Sequence, residues 1–124
     1  MMVKQNSSDV IKMVDILGSK WTIKYLDDDP AFSHANGYAN EAAREIVIEN
    51  VKMKNDTLSY DMQSQYINQK RVLRHELIHA YLFESGLGNS SNSCDAWALN
   101  EEMVDWFARN IPKMIETFKE LKCL

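Results

Sequence analysis

Two cysteines in 124 residues are too few for a disulfide framework. Cys94 lies in a polar stretch and Cys123 is next to last, which is the placement of two free thiols. Long apolar runs are also missing. No segment approaches the roughly 20 consecutive apolar residues of a membrane span, so a membrane protein is excluded. Met1 to Asp9 lack the basic start and apolar stretch of a secretory signal, and the expected location is the cytoplasm. No basic block offsets the net charge of -4, so the electrostatic footprint of a nucleic-acid-binding protein is absent. With 45% hydrophobic and 26% charged residues, the chain reads as one soluble globular domain, residues 1–124, expected to be a monomer with a single modest core.

What the chain does contain is His75-Glu76-Leu77-Ile78-His79, an HExxH pattern. Helical positions four apart stack on one face, about 6 Å along the axis, so both imidazoles can reach one metal ion. Glu76 points roughly a quarter-turn away, where it can reach a water without becoming a ligand. The bland alternative is a pair of core histidines bonded to backbone carbonyls.

Coarse patterning places this motif. Ser7 or Ser8 can cap a short helix carrying Val10, Ile11, Val14 and Leu17, which Gly18 would end. Trp21 to Leu26 is aromatic and β-branched and reads as a strand, stopped by Asp27-Asp28-Asp29-Pro30. Ala31 to Asn40, with Asn36-Gly37 at its centre, reads as a loop or hairpin connection to a second strand, Arg44 to Glu49. Asn50 to Ser59 is polar, although Val51 to Met53 could prolong that strand. A long helix is expected from about Asp61 to Ser85, stopped by Gly86. Its second half carries Val72, Leu73, Leu77, Ile78, Ala80, Tyr81, Leu82 and Phe83 in nearly every direction, as a helix packed on most sides would. Ionisable groups buried there need partners, and metal coordination satisfies them together.

After the polar loop Gly86 to Ser93, Asp95-Ala96-Trp97 opens another helix, which holds Glu101, Glu102 and Asp105. A catalytic zinc usually takes three protein ligands and keeps a fourth position open. Glu101 is the expected third ligand and Glu102 the competitor. Only Glu101 has a carboxylate, Asp105, one turn on, where it can accept the second ring N–H of a coordinated histidine. Ala98 and Ala108 flank that face and would permit close approach of the two helices. After Pro112, the spacing of Met114, Ile115, Phe118, Leu121 and Leu124 predicts a C-terminal helix packed into the core.

The HExxH pattern followed by Asn100-Glu101-Glu102-Met103-Val104-Asp105 resembles the signature of the gluzincin metallopeptidases. The small size and the strands ahead of the motif resemble the soluble minigluzincins. Phe107-Ala108 and Pro112 are similar to the ImmA/IrrE-type peptidases, although that group tends to have asparagine where Asp105 stands. The whole also looks like small metallopeptidase-like proteins of Firmicutes prophages. The specific part of the likeness covers residues 71 to 112.

The resemblance implies Zn2+ held by His75, His79 and Glu101, Glu76 as general base and later proton donor, and Asp105 orienting His75. It implies hydrolysis of a protein or peptide substrate, laid along an edge strand for which Arg44, Ile46 and Ile48 are nominated. His34, Tyr38, Tyr60, Tyr66 and Tyr81 are all chemically able to stabilise an oxyanion, and none stands in a motif. Cys94 could in principle occupy the open position. Two other functions stay open: a zinc-bearing regulator acting by binding, and a zinc that only staples a small core. The expected fold is α+β and zincin-like, a two- or three-stranded sheet packed on a buried HExxH helix, followed by a glutamate helix and a C-terminal helix.

Overall fold

Leu17 and Gly18 both have positive φ, at 51° and 91°, and they join two antiparallel strands. A two-residue loop with both residues left-handed has the backbone twist that a tight hairpin needs. The computed structural model, which describes residues 10–51, 60–88 and 100–124, therefore opens with β1, Val10–Ile16, and β2, Ser19–Leu26. This overturns the short helix read over Val10 to Leu17. The apolar spacing there suits a helix locally, but Ile16 pairs with Ser19 and Val14 with Trp21, and that pairing buries Ile16 and Trp21 completely. The proposed Ser7 or Ser8 cap lies outside the described residues.

Beyond β2, Asp29 caps a 3-10 turn, Pro30–Ser33, by accepting from the Ala31 N–H at 2.9 Å. Two further strands follow, β3 (Gly37–Asn40) and β4 (Glu45–Glu49). Among the described residues the sheet thus has four strands rather than two or three, in the order β1-β2-β4-β3. β4 runs parallel to β2 and antiparallel to β3. Among the described residues the edges are β1 and β3, and β4 is interior, with Ile46 and Ile48 fully buried. The nomination of Arg44, Ile46 and Ile48 as a substrate-binding edge is therefore wrong. A strand with a neighbour on both sides has its backbone donors and acceptors already paired. Arg44 itself sits at a left-handed turn position (φ 52°), and its Nε donates to Glu84 at 2.7 Å.

One face of the sheet packs against helix α1, Tyr60–Glu84, through a core that includes Ile16, Trp21, Ile46, Ile48, Val72 and Ala80. Trp21 meets Phe83 edge-to-face at 6.4 Å. At the end of α1, Glu84 accepts from Trp21 Nε1 (2.8 Å), Ser19 Oγ (3.1 Å) and Arg44 Nε (2.7 Å), tying the helix to β2 and to the β3–β4 turn. Gly86, with φ 83°, ends the helix as expected.

Helix α2 spans Glu101–Glu120 without a break at Pro112. The glutamate helix and the C-terminal helix are thus one element, and the opening expected at Asp95-Ala96-Trp97 lies outside the described residues. Val104 and Ala108 are fully buried, whereas Ile115, Phe118, Leu121 and Leu124 are exposed. The core role expected for that last stripe fails among the described residues, because α1 covers only the first half of α2.

Candidate metal centre

The face of α1 that looks towards α2 carries His75 and His79 one turn apart, and their Nε2 atoms stand 3.2 Å from each other. Asn100 caps α2 by accepting from the Met103 N–H at 2.9 Å, which starts the helix at Glu101 and aims that residue across the gap. One carboxylate oxygen of Glu101 lies 2.9 Å from His75 Nε2, and the other lies 2.8 Å from His79 Nε2. One donor atom from each of the three residues falls within 4.8 Å of the others.

The protonation of this cluster follows from its neighbour. Asp105 Oδ1 lies 3.3 Å from His75 Nδ1 and 2.7 Å from Arg71 Nη1, while Oδ2 takes Arg109 Nε at 2.7 Å. The hydrogen bond from Arg109, then that from His75 and the charges of Arg109 and Arg71, hold the Asp105 carboxyl below the usual range. An ionised carboxylate only accepts, so His75 Nδ1 is the donor to Asp105, the arrangement that leaves Nε2 as the ring nitrogen able to face a metal. Two imidazole nitrogens and a carboxylate converge at 2.8–3.2 Å, a cluster that shared protons or a cation standing among them would hold together. The spacing fits a metal. Bonds of about 2.0–2.1 Å in tetrahedral array put neighbouring ligand atoms roughly 3.3 Å apart.

Glu76 lies beside this triad and outside it, with Oε1 3.9 Å from His75 Nε2. It is only 7% exposed. Burial pushes its carboxyl up to about 7; the His79 charge opposes that rise and the Glu101 charge adds to it. A carboxyl poised near neutrality can both take and return a proton. His79 is equally buried, whereas the Glu101 side chain is 73% exposed. The cluster is therefore closed from the helix side and open towards solvent.

Two adjoining cavities form that opening. One, of about 180 Å3, is lined by Ala35, Asn36, Gly37 and Val72 together with His75, Glu76 and Glu101. The other, of about 290 Å3, runs along Gly37, Tyr38 and Ala39 to Glu76 and His79. Gly37 permits this close approach of β3 to α1. A Cβ there would stand 2.9 Å from the Val47 carbonyl oxygen and 2.9 Å from Val72 Cγ1.

The structure thus gathers His75, His79, Glu101, Glu76 and Asp105 into one place and leaves Arg44, Ile46 and Ile48 out of it. Glu102 is exposed and makes no contact with the histidines among the described residues. Of the oxyanion candidates, Tyr38 lines the cleft with its hydroxyl donating to Asp29 at 2.9 Å, while Tyr66 and Tyr81 are exposed away from the triad. His34 is exposed on the loop before β3, and the side chain of Tyr60, like Cys94 and Ala98, lies outside the described residues. Arg71 and Arg109 are the participants that pattern reading missed. Both stand four residues from a member of the site on the same helix, Arg71 from His75 and Arg109 from Asp105, and that spacing was the available signal.

Comparison with known proteins finds no family model, no curated sequence and no solved structure that matches this chain.

Proposed function

We propose that this chain is a zinc-dependent peptidase, with His75, His79 and Glu101 holding the metal and Glu76 as general base. The observation that carries the reading is the placing of Glu101. Its two carboxylate oxygens each reach a different histidine of the HExxH pair, with buried Glu76 alongside. Two imidazoles and one carboxylate make a donor set typical of catalytic zinc, and a divalent cation bound there would polarise a substrate carbonyl and acidify a coordinated water.

The chain's own residues supply the rest. Asp105, clamped by Arg71 and Arg109, fixes the ring of His75. Glu76, near neutral in affinity for its proton, accepts one from the attacking water and delivers it to the leaving nitrogen. β3, an edge strand beside the cleft among the described residues, offers backbone groups to an extended peptide, and Gly37 to Ala39 line the cavity that Glu76 and His79 share. The cleft also continues past the metal-binding side chains. A cavity sharing Asn36 and Val72 leads on to a third sharing Asn50, Val51 and Gln69, which supports a chain substrate over a small molecule. An exposed third ligand beside an open cleft favours catalysis over a closed structural zinc.

The test is metal analysis of the purified protein together with cleavage of a peptide library by wild type and by Glu76→Gln. One equivalent of zinc in both, with cleavage only by wild type, is expected. Turnover that survives in the variant, or metal that does not bind, overturns the reading.

A further inference from the structure

The stripe of α1 that carries His75, Glu76 and His79 continues towards the helix start through Val72, Gln69, Asn68 and Gln65. These positions follow the spacing i, i+3, i+4, i+7 that marks one helix face. A face turned to a sheet ordinarily carries apolar residues throughout, but here three of the four are carboxamides. They line a cavity of about 190 Å3, to which Asn36 and Asn50 add two more carboxamides from the sheet side. The cavity adjoins the metal cleft, since Asn36 and Val72 line both. At about 30 Å3 per water it has room for roughly six waters, or for one side chain.

The orientation of the amides is set by their neighbours. Arg71 Nη2 donates to Asn68 Oδ1 at 2.7 Å, which leaves the Asn68 NH2 group to offer a ligand. Gln69 donates through Nε2 to the Glu49 carbonyl at 3.2 Å, which leaves its Oε1 as an acceptor. Asn50 is anchored by donating to Asp27 at 3.0 Å. Asn68 and Gln69 therefore bring one donor and one acceptor to the lining of the same cavity, the two kinds of group that a carboxamide pairs with. An apolar side chain entering here would strip water from these groups and return no hydrogen bond.

We propose that this cavity is a specificity subsite that receives a glutamine or asparagine side chain of the substrate, next to the scissile bond, with Asn68 and Gln69 as its reading residues. This rests on the peptidase reading above, and it names the substrate class that reading leaves open. Arg71 joins the two functions, because it holds Asp105 with one guanidinium nitrogen and orients Asn68 with another.

Two measurements test it separately from catalysis. In the first, 15N-labelled wild-type protein is titrated with N-acetyl-glutamine methylamide and with N-acetyl-leucine methylamide, and the side-chain NH2 resonances of Asn68, Gln69 and Gln65 are followed. The glutamine compound should shift them and bind about tenfold more tightly, as two net hydrogen bonds would give. Equal or tighter binding of the leucine compound, or no shift with either, overturns the subsite. In the second, peptides differing only in glutamine or leucine beside the cleaved bond are compared with wild type and with Asn68→Leu/Gln69→Leu. Wild type should favour glutamine in kcat/KM, and the double variant should lose or reverse that preference. Cleavage indifferent to this residue at every position keeps the peptidase and removes the subsite. Binding of capped glutamine without cleavage of any peptide does the converse.

Discussion

Arg74 donates from Nε to the backbone carbonyl of Ala108 at 2.7 Å, and that carbonyl is the one Pro112 leaves unclaimed. In an α-helix the N–H of residue 112 would serve the carbonyl of residue 108, and proline has no N–H. The HExxH helix thus repairs a defect in the glutamate helix. The repair fastens the two helices one turn from Asp105 and two from Glu101, so the proline that disfavours α2 locally helps to place Glu101 against the two histidines.

The first prediction tests this coupling. Arg74→Met should lower stability by about 1–3 kcal/mol in urea denaturation, because a partly buried carbonyl loses its partner. In a Pro112→Ala background the cost should shrink by roughly 1 kcal/mol, because an alanine N–H at that position restores the intrahelical bond. Strict additivity of the two substitutions would show that the Arg74 contact does not depend on the proline.

Glu76 sets a pH dependence in the metal-free protein. Its carboxyl is raised in the folded chain to about 7 from an ordinary value of 4.5, so the native state binds the extra proton between those values. Stability should therefore be greatest below about 4.5, as far as this group contributes, and decline as pH rises to about 7. Glu76→Gln abolishes the effect. With chelator present, the variant should exceed wild type by about 2–3 kcal/mol at pH 8, with the gap closing near pH 4. A gap that does not change with pH would show that Glu76 is not held protonated.

Glu84 predicts the opposite trend. The hydrogen bond from Arg44 first, then those from Trp21 and Ser19, keep its carboxyl below the usual range against a smaller rise from burial. A lowered folded value means stability that is present above the unfolded value and lost as pH falls through the folded one. As pH falls through that lowered value, the latch between α1, β2 and the β3–β4 turn should open. The indole N–H resonance of Trp21 should then move with the titration of Glu84 and stay put in Glu84→Gln.

Asp105 should matter to metal binding without touching the metal. Asp105→Ala should weaken zinc affinity by about 10–100-fold in competition with a chromophoric chelator, the usual cost of losing the carboxylate behind a coordinating histidine. Glu101→Ala should cost at least as much. Affinity within about twofold of wild type in either variant would remove that residue from the site.

The hairpin turn offers a stabilising change. Leu17 occupies a left-handed position (φ 51°) that costs a non-glycine residue about 1 kcal/mol, and asparagine tolerates it. Leu17→Asn places the Asn-Gly pair favoured in such turns and exposes less apolar surface. Its thermal midpoint should rise by several degrees, equivalent to about 0.5–1 kcal/mol; an unchanged or lower midpoint would count against the turn geometry.

By itself the sequence determined what is local. The HExxH spacing, the glutamate one helix later, the aspartate a turn beyond it and the glycine stop of α1 are all readable, because the 3.6-residue period decides which side chains share a face. Tertiary structure decided whatever depends on partners distant along the chain. Val10 to Leu17 has a helix-like apolar spacing, yet pairing with β2 makes it a strand. Glu45 to Glu49 reads correctly as a strand, with Arg44 left in the turn before it, but only the order of the sheet makes β3, and not β4, an edge. Pro112 looks like a boundary until Arg74 arrives from another helix to satisfy Ala108. In each case a hydrogen-bonding partner at long range, invisible to periodicity, outweighs a local preference of about a kilocalorie per mole.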